Sequence, residues 1–291
     1  MSYSNDKLYQ IDNVFLEKPA LFGDTFLFQL GRLHCSPNYV VEEHAHRNWY
    51  ELTIVTEGEG EITTNGVSLP VKKGDIYLSF PADFHSIVSS AHKPLKYDYF
   101  SFYTMDKELE EALKNITLSL VSYEYRIFQN ERILSMVVEA IAEISEKKKY
   151  YEQILTSLFH QILLTLLRNY HSIKPPQLKH VTVTEKTCFQ IMHYIDTHLY
   201  DLENLTSLTS VFNYNYTYLS DKYKQVTGDT LFHYYQTRRL ETAKLLLQEG
   251  KLKIVEISEL LHYASPFSFS KAFKAKYGVS PKNYTNAKQA E

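Results

Sequence analysis

Two groups of residues in this 291-residue chain have types and spacings that could do chemistry. The first is His44-Ala45-His46, followed by Glu51, Gly58 and, after Pro81, His85. Side chains two apart on a β-strand point to the same side, so His44 and His46 would face one space. With Glu51 and His85 they make a four-donor set suited to a divalent metal. The competing reading is a polar pocket that holds an organic ligand without metal. Tyr39, Trp49 and Phe80 stand close in sequence and would suit stacking on a sugar-like molecule. The pocket candidates are therefore Tyr39, His44, His46, Trp49, Glu51, Phe80 and His85, although strand alternation forbids all of them from facing inward.

The second group is a repeat. Tyr218-Leu219-Ser220-Asp221-Lys222-Tyr223-Lys224 with Gly228 returns fifty residues later as Ser268-Phe269-Ser270-Lys271-Ala272-Phe273-Lys274 with Gly278. Each copy reads as a short helix, a tight turn and a second helix. Asn213 tolerates left-handed backbone, Asn215 and Ser265 have N-cap oxygens, and Pro266 suits the first helical position. A helix-turn-helix lays its second helix in the major groove of DNA. Leu219 and Tyr223 share one face, as do Phe269 and Phe273. The opposite faces give the candidate DNA contacts: Tyr216, Thr217, Ser220, Asp221 and Lys224 in the first copy, and Pro266, Phe267, Ser270, Lys271 and Lys274 in the second. Hydroxyls and lysines can bond bases or phosphates, and Phe267 could touch a thymine methyl. Asp221 would be repelled by phosphates unless it accepts from a cytosine or, the favoured expectation, pairs with Lys222 or Lys224. Arg239, on the helix between the copies, suits a structural ion pair as well as a phosphate contact.

The elements that must position these groups follow from pattern. Residues 20–105 contain short runs rich in Val, Ile, Tyr, Phe and Thr, separated by turn signals such as Asn65-Gly66, and so predict a β-barrel or jelly roll. From Asn130 the period becomes helical. Ile133, Val137, Ile141 and Ile144 mark one amphipathic helix, and Ile154 to Leu167 a second with a broader apolar face, which either packs back on the barrel or, the favoured expectation, pairs two chains as a homodimer. Pro175-Pro176 breaks the pattern and marks a linker over 173–184. Helical periodicity resumes at 185. The expected layout is a ligand-binding domain over 1–129, a helical dimerisation region over 130–172, the linker, and a DNA-binding domain over 185–291 with helix-turn-helix motifs at about 205–226 and 254–276.

The net charge of -3 is unevenly spread. Residues 1–184 hold 18 Lys and Arg against 23 Asp and Glu, whereas residues 185–291 hold 13 against 11. No acidic residue lies between Leu260 and Ala290, where Lys271, Lys274, Lys276, Lys282 and Lys288 all fall, a cationic footprint of the kind phosphate backbones select. The two cysteines form no CxxC pair, residues 1–15 lack an apolar signal core, and no apolar stretch reaches bilayer length; a cytoplasmic protein with no membrane partner is expected.

Residues 185–288 resemble the DNA-binding domain of the AraC/XylS family of bacterial transcription regulators. The resemblance rests on Tyr218-Leu219, Tyr223-Lys224, Gly228, Tyr234, Arg239, Ala243, Leu246-Leu247, Ile254, Glu256-Ile257, Phe269-Ser270, Phe273-Lys274, Gly278, Ser280-Pro281 and Tyr284. Departures are Ser258 for the usual Ala, His262 for Gly, Ser268 for Tyr, Lys271 for a frequent Arg and Thr285 for Arg. The histidine spacing likewise resembles the two cupin motifs. What these resemblances imply is an α+β two-domain regulator, with a cupin-like barrel for a small-molecule effector and a C-terminal all-α domain for double-stranded DNA. It would carry no cofactor, and RNA polymerase would be a partner if it activates. The alternative is a metal-dependent cupin enzyme using His44, His46, Glu51 and His85, with the tail as an interaction module.

Overall fold

The computed structural model describes residues 7–46, 48–119, 123–172 and 183–289. The chain divides into two compact units, Met1–His180 and Val181–Glu291. Most of the expected linker, 173–182, lies outside the described residues.

The first unit is built on antiparallel strands β1 (Lys7–Val14), β2 (Ala20–Phe22), β3 (Thr25–Cys35), β4 (Val40–Ala45), β5 (Tyr50–Glu57), β6 (Glu59–Thr64), β7 (Val67–Lys72), β8 (Asp75–Ser79), β9 (Phe84–Ser89), β10 (Lys96–Thr104) and β11 (Ile127–Gln129). One sheet runs β1-β3-β10-β5-β8-β11 with β2 beside β3; the other runs β4-β9-β6-β7. Strand alternation explains the layering. On β5, Tyr50, Leu52 and Ile54 point away from the smaller sheet, whereas Val55 joins Leu33, Tyr77 and Tyr97 in packing against Ile62, Leu69, Val71 and Ile87 between the sheets. The β6-β7 hairpin turns at Asn65-Gly66, with φ 50° and 82°, the positive pair a two-residue type I′ turn needs.

Helices α1 (Lys107–Ser119), α2 (Glu131–Glu146) and α3 (Tyr151–Ser172) cover the outer face of the larger sheet. Asn130 starts α2 by accepting from the amides of Arg132 (3.1 Å) and Ile133 (3.2 Å). The broad apolar face of α3 packs within its own unit. Leu155, Leu158, Phe159, Ile162, Leu163 and Leu166 are all buried within their own unit, and the Phe159 ring stacks on Phe100 at 4.9 Å. An apolar face needs burial, and the sheet supplies it.

The second unit comprises α4 (Val183–Thr197), α5 (Leu208–Phe212), α6 (Tyr216–Thr227), α7 (Leu231–Glu249), α8 (Ile254–Leu260), α9 (Pro266–Tyr277) and α10 (Pro281–Gln289). Its core joins Ile191 and Ile195 of α4 to Leu219, Tyr223, Leu240, Ala243, Ile257, Phe269 and Phe273. The fold is thus an antiparallel β domain followed by an all-helical one. Among the described residues, no helix is long and apolar enough to cross a membrane.

Candidate functional site

In the helical unit the two copies have the same construction. In the first, Asn213 takes φ 55° and the Asn215 side chain accepts the amide of Tyr218 at 2.7 Å, starting α6. In the second, His262 takes φ 53°, and the Ser265 hydroxyl accepts the amide of Ser268 at 3.1 Å beside Pro266 at the first helical position of α9. Gly228 and Gly278 end the two helices at φ 78° and 77°, each donating its amide to the carbonyl of Lys224 or Lys274.

Leu219, Tyr223, Phe269 and Phe273 are buried, which turns the other face of each helix outward. Thr217, Asp221 and Lys224 are exposed on α6, as are Pro266, Phe267, Lys271 and Lys274 on α9. At 79% exposure, Phe267 is the least covered large apolar side chain among the described residues. Ser220 and Ser270 are half-buried. Tyr216 packs partly against the core, and Tyr218, which the sequence reading passed over, takes an outward place stacked on Tyr214 at 4.8 Å.

The expected partner of Asp221 is a correction. Lys222 instead donates to Gln225 at 3.2 Å, and no ion pair holds Asp221 or Lys224 among the described residues. Lys276 is partly neutralised by Glu241 at 2.8 Å, whereas Lys271 and Lys274 have no carboxylate partner among the described residues. Arg239 corrects the reading further, being neither ion-paired nor available to phosphate. It is buried, donates Nε–H to the Leu261 carbonyl at 2.6 Å and lies 3.8 Å from the Tyr263 ring centroid. It thereby ties α7 to the end of α8, just before the turn that aims α9. The ion pair falls to Arg238, which holds Asp196 at 2.7 Å and Glu241 at 3.0 Å.

Within the β unit, one end of the space between the sheets is polar. His44 and His85 are cross-strand partners with ring centroids 4.3 Å apart, and His46 lies 5.0 Å from His44 and 5.2 Å from His85. Glu51 approaches His46 Nε2 at 3.2 Å through Oε2 and His85 Nε2 at 3.5 Å through Oε1. It also accepts the Ser101 hydroxyl at 2.7 Å; Ser101 carries no motif, and only the β5-β10 register places it opposite Glu51. Burial alone would raise the Glu51 carboxyl, but the imidazoles of His46 and His85 outweigh it and hold the group well below the usual carboxylate range. His44, a half-buried residue, is pushed down to about 3 by desolvation, with His85 and His46 adding to the effect.

The aromatic candidates separate from this cluster. Phe80 belongs to the opposite face, packed with the helix layer under the Arg126 guanidinium at 4.1 Å. Tyr39 precedes β4, beyond the strand end opposite His44, and packs against the apolar part of the interior. Trp49 does reach His46, 5.1 Å away, but its ring is already stacked on Phe28 at 4.2 Å, so protein rings occupy surface an effector would use. A linear distance in sequence could not show which side of a sheet each ring takes.

Comparison with known proteins agrees with both halves. Residues 208–287 match the model described as a helix-turn-helix domain, and residues 29–163 the one described as an AraC-like ligand binding domain. The chain is 25% identical over 266 residues to the raffinose operon transcriptional regulatory protein RafR of Pediococcus pentosaceus, covering 90% of this chain and 94% of that protein. It is 23% identical over 245 residues to the HTH-type transcriptional regulator YfiF of Bacillus subtilis, covering 82% and 76%. Among solved structures, ToxT from Vibrio cholerae O395 is 17% identical, with a TM-score of 0.44 over 87% of this chain and 95% of that one.

Proposed function

Because the chain belongs to the AraC/XylS family of DNA-binding transcription regulators, we propose that α6 and α9 read successive major-groove segments under control of a small molecule held in the barrel. The observation that carries this reading is the pair of outward faces, Thr217, Asp221 and Lys224 on α6 and Phe267, Lys271 and Lys274 on α9, set at one offset on helices whose opposite faces are buried. α7, about 28 Å long at 1.5 Å per residue, joins the copies, and successive major-groove faces lie roughly 34 Å apart. The faces are unequal: α9 offers two lysines that are unpaired among the described residues and an exposed ring, α6 one lysine beside a carboxylate. We therefore assign most of the phosphate attraction to α9.

The name of RafR ties that relative to a raffinose operon and supports a sugar as the effector class here. The effector would act by favouring one arrangement of the DNA-binding units over another. The relatives are named as regulators, which supports a non-enzymatic role over the cupin-enzyme alternative.

The test is a mobility shift on the promoter DNA beside the gene, with and without Lys271→Ala and Phe267→Ala, and with sugars added. Sequence-selective binding weakened by both substitutions is expected; failure of the parent chain to prefer that DNA would overturn the reading.

A further inference from the structure

We propose that Tyr214 and Tyr218 form a neutral phosphate clamp at the start of α6, their hydroxyls donating to one backbone strand at the edge of the major groove. The proposal rests on the reading of α6 as a groove-reading helix and names what holds that helix to the DNA backbone.

Placement is the first observation. At about 100° per residue, the direction opposite the buried pair Leu219 and Tyr223 is that of Asp221. Thr217 and Lys224 flank Asp221 on one side; Tyr218 lies about 60° round on the other, with Lys222 beyond it. A major groove admits one α-helix between two phosphate strands, so the outermost face meets base edges and the rims meet the backbone. Tyr214, in the turn before α6, stacks on the Tyr218 ring at 4.8 Å and an interplanar angle of 27°, and so extends this rim past the helix start.

The second observation is that both hydroxyls are unspent. Tyr214 and Tyr218 are 44% and 39% exposed, and neither hydroxyl has a hydrogen-bond partner among the described residues. Elsewhere in the same unit tyrosine hydroxyls are engaged: Tyr234 donates to Asp196 at 2.8 Å and Tyr235 to the Leu202 carbonyl at 2.5 Å. Stacking already restrains the two exposed rings, so little rotamer freedom is left to lose when their hydroxyls meet an acceptor. On the same rim the Lys222 ammonium lies 5.8 Å from the Tyr218 ring centroid, which keeps a positive charge beside the hydroxyls.

Third, the other copy lacks the device. Ser268 stands where Tyr218 does at the fifty-residue offset, and its hydroxyl is used in the cap, donating to the Ser265 carbonyl at 2.7 Å and accepting the Ser265 amide at 3.1 Å. Ala264 stands in the place of Tyr214. The two helices thus meet the backbone by different chemistry. Lysines on α9 act by charge, whereas α6, whose Lys224 shares its face with Asp221, acts through neutral donors. A hydroxyl that bonds a phosphate displaces no counterion, so its share of the affinity does not vary with salt.

The test uses the full chain and fluorescence anisotropy on two DNA duplexes of one length, the promoter fragment beside the gene and a scrambled version, each titrated at several salt concentrations. Tyr214→Phe and Tyr218→Phe keep the rings and remove the hydroxyls. Each is expected to weaken binding about tenfold on both duplexes, with the slope of log affinity against log salt unchanged. Tyr150→Phe, exposed in the β unit, should change nothing. Circular dichroism melts confirm that the helical unit is intact; should Tyr218→Phe disturb α6, Tyr214→Phe, outside the helix, carries the comparison. Unchanged affinity in both variants, a loss confined to the promoter duplex, or a changed salt slope would overturn the clamp while leaving the regulator standing. A parent chain with no preference for the promoter duplex would instead overturn the groove-reading role of α6, and the clamp with it.

Discussion

The guanidinium of Arg126 is ion-paired with the carboxylate of Asp83 in the interior of the β unit, where 2% and 3% of the two residues remain exposed. Asp83 also accepts the Phe80 amide at 2.7 Å and the Asn65 side-chain amide at 3.0 Å, while Arg126 lies over the Phe80 ring. The pair fastens the turn that leads into His85 to the segment that continues through β11 to α2. Removing one partner strands the other charge in a low-dielectric interior, which costs about 3–5 kcal/mol. Asp83→Asn is expected to lower the urea midpoint of the transition reported by Trp49 emission, and Asp83→Leu with Arg126→Met to recover much of the loss.

His262 occupies left-handed backbone at φ 53°, a conformation that favours glycine, and its Nε2–H donates to the Tyr200 carbonyl at 2.7 Å. The hydrogen bond offsets the strain. His262→Ala keeps the strain and loses the bond, so it should destabilise the helical unit by about 1–2 kcal/mol; His262→Gly relieves the strain and should cost less. Hydrogen exchange of α8 and α9 amides checks the order. Equal protection in all three proteins would remove this account of why histidine is tolerated at the turn.

Ser258 is fully buried on α8 and its hydroxyl has no partner among the described residues. Ser258→Ala deletes an unsatisfied polar group and adds helix propensity, so the thermal midpoint of the helical unit should rise, with a gain of about 1 kcal/mol. A fall in the midpoint, followed by circular dichroism, would show that the hydroxyl is bonded in solution.

Among the described residues Lys271 and Lys274 stand without carboxylate partners, whereas Lys276 is engaged with Glu241. If the first two neutralise phosphates, each substitution by alanine should reduce the slope of log affinity against log salt by about 1, and Lys276→Ala should change it less. Phe267→Ala should leave the salt slope alone and cost about 1–3 kcal/mol at a thymine-containing operator. Titrations at several salt concentrations distinguish the two roles.

Much of the local design was legible in the chain itself. The turn residue Asn213, the caps Asn215 and Ser265, and the terminal glycines Gly228 and Gly278 act through local backbone geometry and bonds to residues a few positions away, so their order in sequence suffices to place them, whereas the bond that holds His262 reaches Tyr200. The same holds for Asn65-Gly66 and for the two-residue spacing that brings His44, near the end of β4, and His46, just past it, to one place. What covers each face was decided only by the tertiary structure. The apolar side of α3 met its own sheet, Arg239 turned to a carbonyl and a ring instead of a charge, Phe80 fell on the helix side of its sheet, and Ser101 came opposite Glu51. Periodicity fixes which residues share a face, because it follows from backbone geometry. Which partner meets that face depends on register and packing between segments far apart in sequence, and those are set by the burial of the whole unit.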